Sequence, residues 1–164
     1  MIEKIVAVTG HRPNKLFGYD MSDKRYVNIK EYFKKYLVEN NASVAVSGMA
    51  LGVDQIFAEA VLELKAEGVQ INLYCAVPCK GQESMWPEKS QKRYKEILEQ
   101  ADIVYTVSKE NYKPYLLQKR NEYMVDISTE ILAIWDGTPS GTKNCVDYAK
   151  KKNKKVIIKN PIEF

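Results

Sequence analysis

Short apolar runs alternate with segments of helical hydrophobic spacing along the whole chain. The runs predict strands at residues 4–9, 42–46, 69–77, 103–107, 131–135 and 156–158. Strands that are apolar throughout and separated by helices are typical of a parallel sheet covered on both faces. The pattern predicts an α/β fold: a single Rossmann-like domain over residues 1–164, with a mostly parallel sheet of about six strands and helices on both faces.

Helix boundaries have their own signals. Ser22 and Thr142 are predicted N-caps of the first and last helices, because their hydroxyl oxygens can accept from free backbone N–H groups. Gly68 is predicted to end the second helix, and Pro87 to open the third, where its missing N–H costs nothing.

The loops that follow the strands are the places to look for function. Right-handed crossovers put these loops on one edge of a parallel sheet, and ligands bind at that edge in open α/β folds. Four of them have unusual sequences, TGHRP, SGMALGVD, VPCKGQESMWP and WDGTPSGT, after strands one, two, three and five. We therefore expect one ligand site formed where these loops meet.

Composition narrows the possible partners. The net charge of +4 is mild, and much of the excess is a lysine cluster at residues 150–155 that suits a solvated helix end. A nucleic-acid patch there is the less favoured alternative, so nucleic acid is not an expected partner. No apolar run approaches the roughly 18 residues that span a bilayer, and the N-terminus reads as a strand rather than a signal peptide. We expect a cytoplasmic protein without a membrane partner.

Cysteine and histidine are scarce. Cys75, Cys79 and Cys145 are an odd number, which argues against a disulfide framework, and His11 is the only histidine. We therefore predict structural thiols, no metal site and no cofactor. Eleven tyrosines lead us to expect a homo-oligomer, because tyrosine is favoured at interfaces. Packing of these tyrosines between helices and sheet is the alternative.

Two loops have the composition of anion sites. Ser47, Gly48 and Gly52 lead into one helix, and Ser140, Gly141 and Thr142 lead into another. Glycines let a backbone approach a ligand, and the free N–H groups of a first helical turn bind anions. Together these turns suggest a phosphate or diphosphate.

Charged and aromatic residues in the same loops have two interpretations each. Arg12 would bind a phosphate or pair with a carboxylate, and His11 would carry a proton or close a turn. Asp54 would cap its helix, which we favour, or bind a ribose hydroxyl. Trp86 would stack on a base or pack against its own helix, whereas Trp135 is expected in the core.

Missing motifs exclude several enzyme classes. The chain has no GxGxxG after its first strand and no acid after its second, which argues against an ordinary dehydrogenase. It has neither GxxxxGK[ST] nor GxSxG, so a P-loop ATPase and an α/β-hydrolase are not expected.

The segments VTGHRPNKLFGY, SGMALGVDQIFAE, RNEYMVDIS and AIWDGTPSGT, in this order, resemble the SLOG superfamily over about residues 5–158. The similarity is to its YpsA-like branch of small bacterial and phage proteins. The resemblance implies a Rossmann-like domain that binds a nucleotide, an NAD-derived molecule such as ADP-ribose, or nucleic acid. Carried over by position, the implied pocket comprises Gly10, His11, Arg12, Ser47, Gly48, Met49, Gly52, Asp54, Arg120, Asn121, Asp136, Gly137, Gly141 and Thr142.

The sequence departs from the LOG phosphoribohydrolases of that superfamily. Their PGGxGTxxE motif ends in a catalytic glutamate, whereas this chain has Cys145 at that position and lacks the leading PGG. Binding of a nucleotide-derived signal, by a sensor or by a sequestering protein in phage counter-defence, is therefore the favoured function. LOG-like hydrolysis of an N-glycosidic or phosphate bond is the alternative, with His11 or Asp136 as acid or base. Single-stranded nucleic-acid binding, as in DprA, is the third.

Overall fold

The computed structural model describes residues 3–164, so Met1 and Ile2 of the predicted domain lie outside the described residues. The strands are β1 Ile5–Gly10, β2 Val44–Ser47, β3 Asn72–Val77, β4 Ile103–Thr106, β5 Glu130–Ile134 and β6 Lys155–Lys159. The helices are α1 Lys24–Glu39, α2 Val53–Ala66, α3 Glu88–Gln100, α4 Tyr115–Ile127 and α5 Gly141–Lys151, with 3-10 turns at Pro13–Lys15 and Pro161–Glu163.

The six strands form one sheet in the order β4-β3-β2-β1-β5-β6, and every neighbouring pair is parallel. Right-handed crossovers put α1, α2 and α3 on one face and α4 and α5 on the other. The packing agrees, because α1 packs on α2 and α4 packs on α5. The predicted Rossmann-like α/β fold with helices on both faces is confirmed.

Strand order reverses between β1 and β5. From β1 the chain builds outward through β2, β3 and β4, and it then returns along α4 to pair β5 with the other side of β1. The loops after β1 and β5 diverge onto opposite faces at this point, which leaves a crevice between them. The crevice is the position at which this fold class binds ligands.

The larger core lies beneath α1, α2 and α3. Phe33 and Phe57, both fully buried, meet edge to face with ring centroids 5.0 Å apart. The core beneath α4 and α5 is smaller and includes Ala7, Val46 and Met124. None of the helices in residues 3–164 combines the length and apolar character needed to cross a bilayer.

Three predicted residue roles are wrong. Asp23 rather than Ser22 caps α1, because its Oδ1 accepts from the Arg25 N–H at 2.9 Å while Ser22 bonds to Asp20. Ser140 rather than Thr142 caps α5, accepting from the Lys143 N–H at 3.3 Å. In each case the predicted residue is also a good cap former, so composition alone did not fix the helix start.

The third error concerns Trp135, which lies outside the core. Its ring is only partly buried, and its Nε1–H donates to the Thr138 carbonyl at 2.8 Å. The β5 strand ends one residue earlier, at Ile134, so Trp135 belongs to the following loop. The predicted third strand also begins later, at Asn72, because residues 69–71 still belong to the turn after α2.

Replacing Phe57 by alanine should lower the free energy of unfolding by about 3–5 kcal/mol, because it leaves a cavity opposite Phe33. Val38→Ala is the matched control, since Val38 lies on α1 with 47% of its surface exposed. Urea denaturation followed by circular dichroism measures both. Equal losses for the two variants would contradict the assignment of this core.

Candidate functional site

A cavity of about 270 Å³ opens at the carboxyl edge of the sheet, between the loop after β1 and the start of α5. Eight of the predicted site residues line it: Gly10, His11, Arg12, Asp54, Arg120, Asn121, Gly141 and Thr142. Thr9, Asn14, Lys15, Ala50, Leu117 and Ser140 complete the lining. The loops after β1, β2 and β5 therefore converge with α4, whereas the loop after β3, which was also expected to contribute, provides no lining residue.

Arg120 is the most unusual group in this cavity. Only 4% of the residue is exposed, and Nη1 and Nε donate to the Gly48 carbonyl and to Asn121 Oδ1. Within residues 3–164 no carboxylate lies at ion-pair distance from it, and Nη2 makes no hydrogen bond. Burial consequently lowers the pKa of Arg120, with the charge of Asp54 acting in the opposite direction. A buried cation without an adjacent anion is costly, so it favours an anion in the cavity.

Asp54 lies in the first turn of α2 and faces the same cavity. Burial raises the pKa of its carboxyl group, opposed by the charge of Arg120, the Ala50 N–H and the charge of Arg12, in that order. The favoured interpretation as an N-cap is wrong, because Gly52 holds the N-cap position. Asp54 Oδ2 instead accepts from the Ala50 N–H at 3.2 Å and fixes the loop after β2.

Two further features favour an anion. Arg12 and Lys15 are exposed at the rim, on the loop and 3-10 turn that follow β1. At the opposite wall α5 begins, and the Gly141 and Thr142 N–H groups precede the first intrahelical donor. The positive end of the α5 dipole therefore points into a cavity that already holds cationic side chains.

His11 and Asp136 tie the two diverging loops together across the crevice. His11 Nε2 lies 2.9 Å from Asp136 Oδ1 and 3.3 Å from the Asp136 backbone nitrogen. A protonated Nε2 donates to the carboxylate, and an unprotonated Nε2 accepts from the backbone N–H. His11 is buried and lines the cavity, whereas Asp136 and Gly137 lie outside its lining. The pair positions the cavity wall in either tautomer.

Three predicted site glycines face protein atoms. A Cβ on Gly10 would lie 2.7 Å from Val53 side-chain atoms, and one on Gly52 would lie 2.6 Å from the His11 carbonyl oxygen. A Cβ on Gly48 would lie 2.7 Å from the Arg120 guanidinium. These glycines therefore allow the protein to pack closely around the site. A Cβ on Gly141 would meet nothing within 4 Å, so only there does open space lie in front of a lining glycine.

The loop after β2 acts as a support behind the cavity. Ser47 Oγ donates to the Asp54 carbonyl at 2.7 Å and accepts from the Met49 N–H at 3.2 Å. Met49 is fully buried with φ of 61°, a left-handed conformation that costs energy in a non-glycine residue. Ser47, Gly48, Met49 and Gly52 do not line the cavity and hold Asp54 and Arg120 in place.

Sequence reasoning missed Asn14, Lys15 and Leu117. Leu117 is three residues before Arg120 on α4, so helical spacing places both on one face and could have indicated it. Asn14 and Lys15 lack such a signal, because the 3-10 turn at Pro13–Lys15 folds them back toward the cavity. Trp86 packs edge-on against Tyr94, with centroids 5.3 Å apart, which supports the packing alternative.

A larger groove of about 710 Å³ runs between α1 and α3. Three of the four cations in its lining have a carboxylate partner, since Arg93 pairs with Glu59, Lys30 with Glu63 and Lys92 with Glu96. We therefore take the smaller cavity, where no carboxylate lies at ion-pair distance from Arg120 within residues 3–164, as the candidate ligand site. The cysteines are free and buried, and burial raises the pKa of the Cys145 thiol to about 11. No cluster of three metal-ligating side chains occurs in the described part of the chain.

The Asp136 carboxyl group should become protonated only at a pH well below the ordinary pKa range of aspartate. The Thr138 hydroxyl, then the Thr138 N–H and His11 hold its pKa at about 2, so the link between the loops persists above pH 4 and weakens as the pH falls through 2. Thr138→Val should raise the midpoint, because it removes the largest of these contributions. A carbon-detected NMR titration of the Asp136 carboxyl measures both proteins, and identical midpoints would refute the role of Thr138.

Comparison with known proteins identifies the family. The model of the YspA SLOG family matches residues 6–163. The SPbeta prophage-derived protein YoqJ of Bacillus subtilis is 37% identical over 142 residues, which is 80% of this chain and 81% of that protein. A UPF0398 protein of Halalkalibacterium halodurans is 32% identical over 154 residues, 91% of this chain and 82% of the relative.

Solved structures show the same fold at lower identity. DprA of Helicobacter pylori, described with single-stranded DNA, gives a TM-score of 0.68 at 21% identity over 98% of this chain and 70% of its own. DprA of Streptococcus pneumoniae gives 0.67 at 19% identity over 95% of this chain, which spans 50% of that protein. The Moco carrier protein of Chlamydomonas rheinhardtii gives 0.55 at 15% identity over 96% of this chain and 76% of its own. The sequence match over nearly the whole chain, on this fold, shows that the protein belongs to the YspA SLOG family.

Proposed function

We propose that this protein binds a phosphate-bearing nucleotide derivative, of the ADP-ribose or cyclic-nucleotide type, as a sensor or sequestering protein. The observation that carries the proposal is Arg120, a buried guanidinium that faces a cavity and has no carboxylate at ion-pair distance within residues 3–164. A phosphate group would supply the missing negative charge and accept from the planar fork of N–H donors.

The surroundings of Arg120 suit a phosphate or diphosphate. Arg12 and Lys15 at the rim add two cations, and the start of α5 adds free N–H groups. Asp54 is the one carboxylate in the lining, and it would repel a phosphate placed against it but could accept from a sugar hydroxyl. We infer that the phosphate lies toward Arg12 and α5 and that the ribose lies toward Asp54.

The cavity volume limits how much of the ligand is enclosed. Small-molecule sites usually measure about 300–1,000 Å³, and this cavity is slightly smaller at about 270 Å³. A phosphate and its sugar would fit inside, and a base would extend past the rim. A base outside the rim would make few contacts with the described residues, so they would select weakly among different bases.

Binding without turnover is the favoured activity. Cys145 stands where LOG enzymes have a catalytic glutamate, and burial raises the pKa of its thiol to about 11, which suits neither a nucleophile nor a general base. Asp136 has a lowered pKa and lies outside the cavity, so it is poorly placed to donate a proton. Asp54, which lines the cavity with a raised pKa, is the better candidate if hydrolysis occurs.

The prophage origin of one relative supports a sequestering role. YoqJ is prophage-derived, and a phage protein that holds an ADP-ribose-type immune messenger would act in counter-defence by lowering its free concentration. We further propose a cytoplasmic location, where such a messenger would be encountered.

Single-stranded DNA is a second candidate, because a DprA neighbour is described with it and because exposed Arg12 and Lys15 flank the cavity. Against it, no Phe, Tyr or Trp side chain lines the cavity, and single-strand binding usually relies on the stacking of bases on such rings. The small ligand is therefore favoured.

Arg12→Ala should weaken binding of ADP-ribose about ten- to hundredfold, because it removes a charge-assisted contact from an exposed position that the fold does not need. Gly48→Ala should also weaken it, because a Cβ there displaces the Arg120 guanidinium without removing its charge. Lys35→Ala is the control, as this side chain is 75% exposed near the far end of α1 and loses the same charge.

Isothermal titration calorimetry with ADP-ribose, inorganic diphosphate and a thymidine oligonucleotide distinguishes the candidates. Binding of ADP-ribose and diphosphate, each weakened in both site variants, supports the proposal. Binding of the oligonucleotide alone, or equal affinity in all variants, would overturn it.

Incubation of the protein with ADP-ribose for hours, followed by mass spectrometry, should return the ligand intact. Repeated turnover that is lost in Asp54→Asn and kept in Asp136→Asn would identify a hydrolase that acts through Asp54. Turnover lost only in Asp136→Asn would instead show that the loop link is catalytic.

A further inference from the structure

The edge strand β4 has one neighbour and an open side. It pairs only with β3, and Ile103, Val104 and Tyr105 are 47%, 44% and 45% exposed. In an edge strand the N–H and C=O groups of alternate residues turn away from the sheet. Three consecutive large apolar residues therefore accompany a row of backbone groups that no other strand in residues 3–164 satisfies.

Apart from its length of four residues, β4 has none of the usual features that protect an edge from another strand. The four residues Ile103–Thr106 contain no lysine, no proline and no charge, which are the features that usually prevent edge pairing. Its register with β3 is continuous, from Tyr74 opposite Ile103 to Val77 opposite Thr106, so no bulge twists it away. The strand is short, but its open backbone groups are accessible to a pairing strand.

The side chains of β4 present a firm apolar surface on both faces. Ile103 and Tyr105 lie on the face of Tyr74, and Tyr105 stacks on Tyr123 of α4 with centroids 4.5 Å apart and an interplanar angle of 25°. Val104 lies on the opposite face, level with Cys75. Ordering these side chains in an interface would cost little entropy, since the stacking already restrains Tyr105.

We propose that β4 pairs antiparallel with β4 of a second copy of this chain about a two-fold axis near Val104. The open backbone groups of a strand edge are satisfied by another strand, and a second copy carries an identical edge that closes as a symmetric dimer. The charges at the two ends of the edge set the direction of pairing.

Exposed Glu99 precedes the strand and exposed Lys109 follows it. The other two exposed charges near the strand ends, Asp102 and Glu110, are already paired with Lys65 and Lys113. Antiparallel pairing brings the acidic end of one copy to the basic end of the other, whereas parallel pairing would put like charges together. The dimer would be one continuous sheet. Its two ligand cavities would open in opposite directions, because each lies at the carboxyl edge of its own strands. Each chain would then bind its ligand independently.

Light scattering after size exclusion tests the dimer. The wild type should give twice the 18.8 kDa chain mass at high concentration, and Val104→Lys and Val104→Glu should each give a single-chain mass because like charges then meet at the axis. An equimolar mixture of the two variants should recover the dimer. Val38→Lys on α1, which is equally exposed, should remain dimeric.

A wild type that stays monomeric up to about 100 µM would overturn the proposal, as that excludes a dimer of even modest affinity. A dimer retained by both Val104 variants, or lost in Val38→Lys, would place the interface elsewhere and also overturn it. A second measurement needs no variant: hydrogen exchange of the β4 amides in the wild type should accelerate on dilution, and an unchanged rate would contradict pairing.

Discussion

The seating of Arg120 against Gly48 is the contact on which the candidate site depends. The guanidinium donates to the Gly48 carbonyl, and any side chain at Gly48 would occupy the same space. This contact brings α4, from one face of the sheet, onto the loop after β2. It also buries a positive charge that Asp54 compensates only at a distance. The cavity therefore contains a guanidinium whose position is fixed by the protein itself, a feature that would suit preorganised anion binding.

Close packing against glycines also forms the other walls of the cavity. Gly10 lets the end of β1 lie directly on Val53, and Gly52 lets α2 begin against the His11 carbonyl. The His11–Asp136 link then closes the crevice from the β5 side. At Gly10, Gly48 and Gly52 a side chain would collide with other protein atoms. At Gly141 it would enter open space in front of the cavity. A loop sequence that resembles a phosphate-binding turn can owe its glycines to the protein's own close contacts.

The two carboxylates and the thiol near the cavity differ in burial, and their pKa values differ accordingly. Asp54 is held in the cavity with a raised pKa, whereas Asp136 is exposed, has three donors and keeps a lowered pKa. Cys145 is sealed beneath the start of α5. Sequence alone ranked Asp136 above Asp54 as a possible catalytic acid or base, because Asp54 was expected to cap its helix. The fold reverses that order, because the helical start of α2 faces inward and the loop after β5 faces water.

The sequence by itself determined the α/β class, the number of strands and their parallel direction, because the alternation of apolar strands and amphipathic helices admits few topologies. The family followed separately, from the resemblance of four loop and helix segments to the SLOG superfamily. It also indicated eight of the lining residues, six of them at strand ends that must meet at one edge, and Arg120 and Asn121 of α4 through the family resemblance alone. Only the tertiary structure decided which residues cap the helices, as Asp23 and Ser140 do, and which glycines face protein atoms. Those outcomes depend on distances between segments far apart in the chain, such as Gly48 and Arg120. The family resemblance placed both residues in one pocket, but local patterns carry no information about distances, so the contact between them could not be predicted.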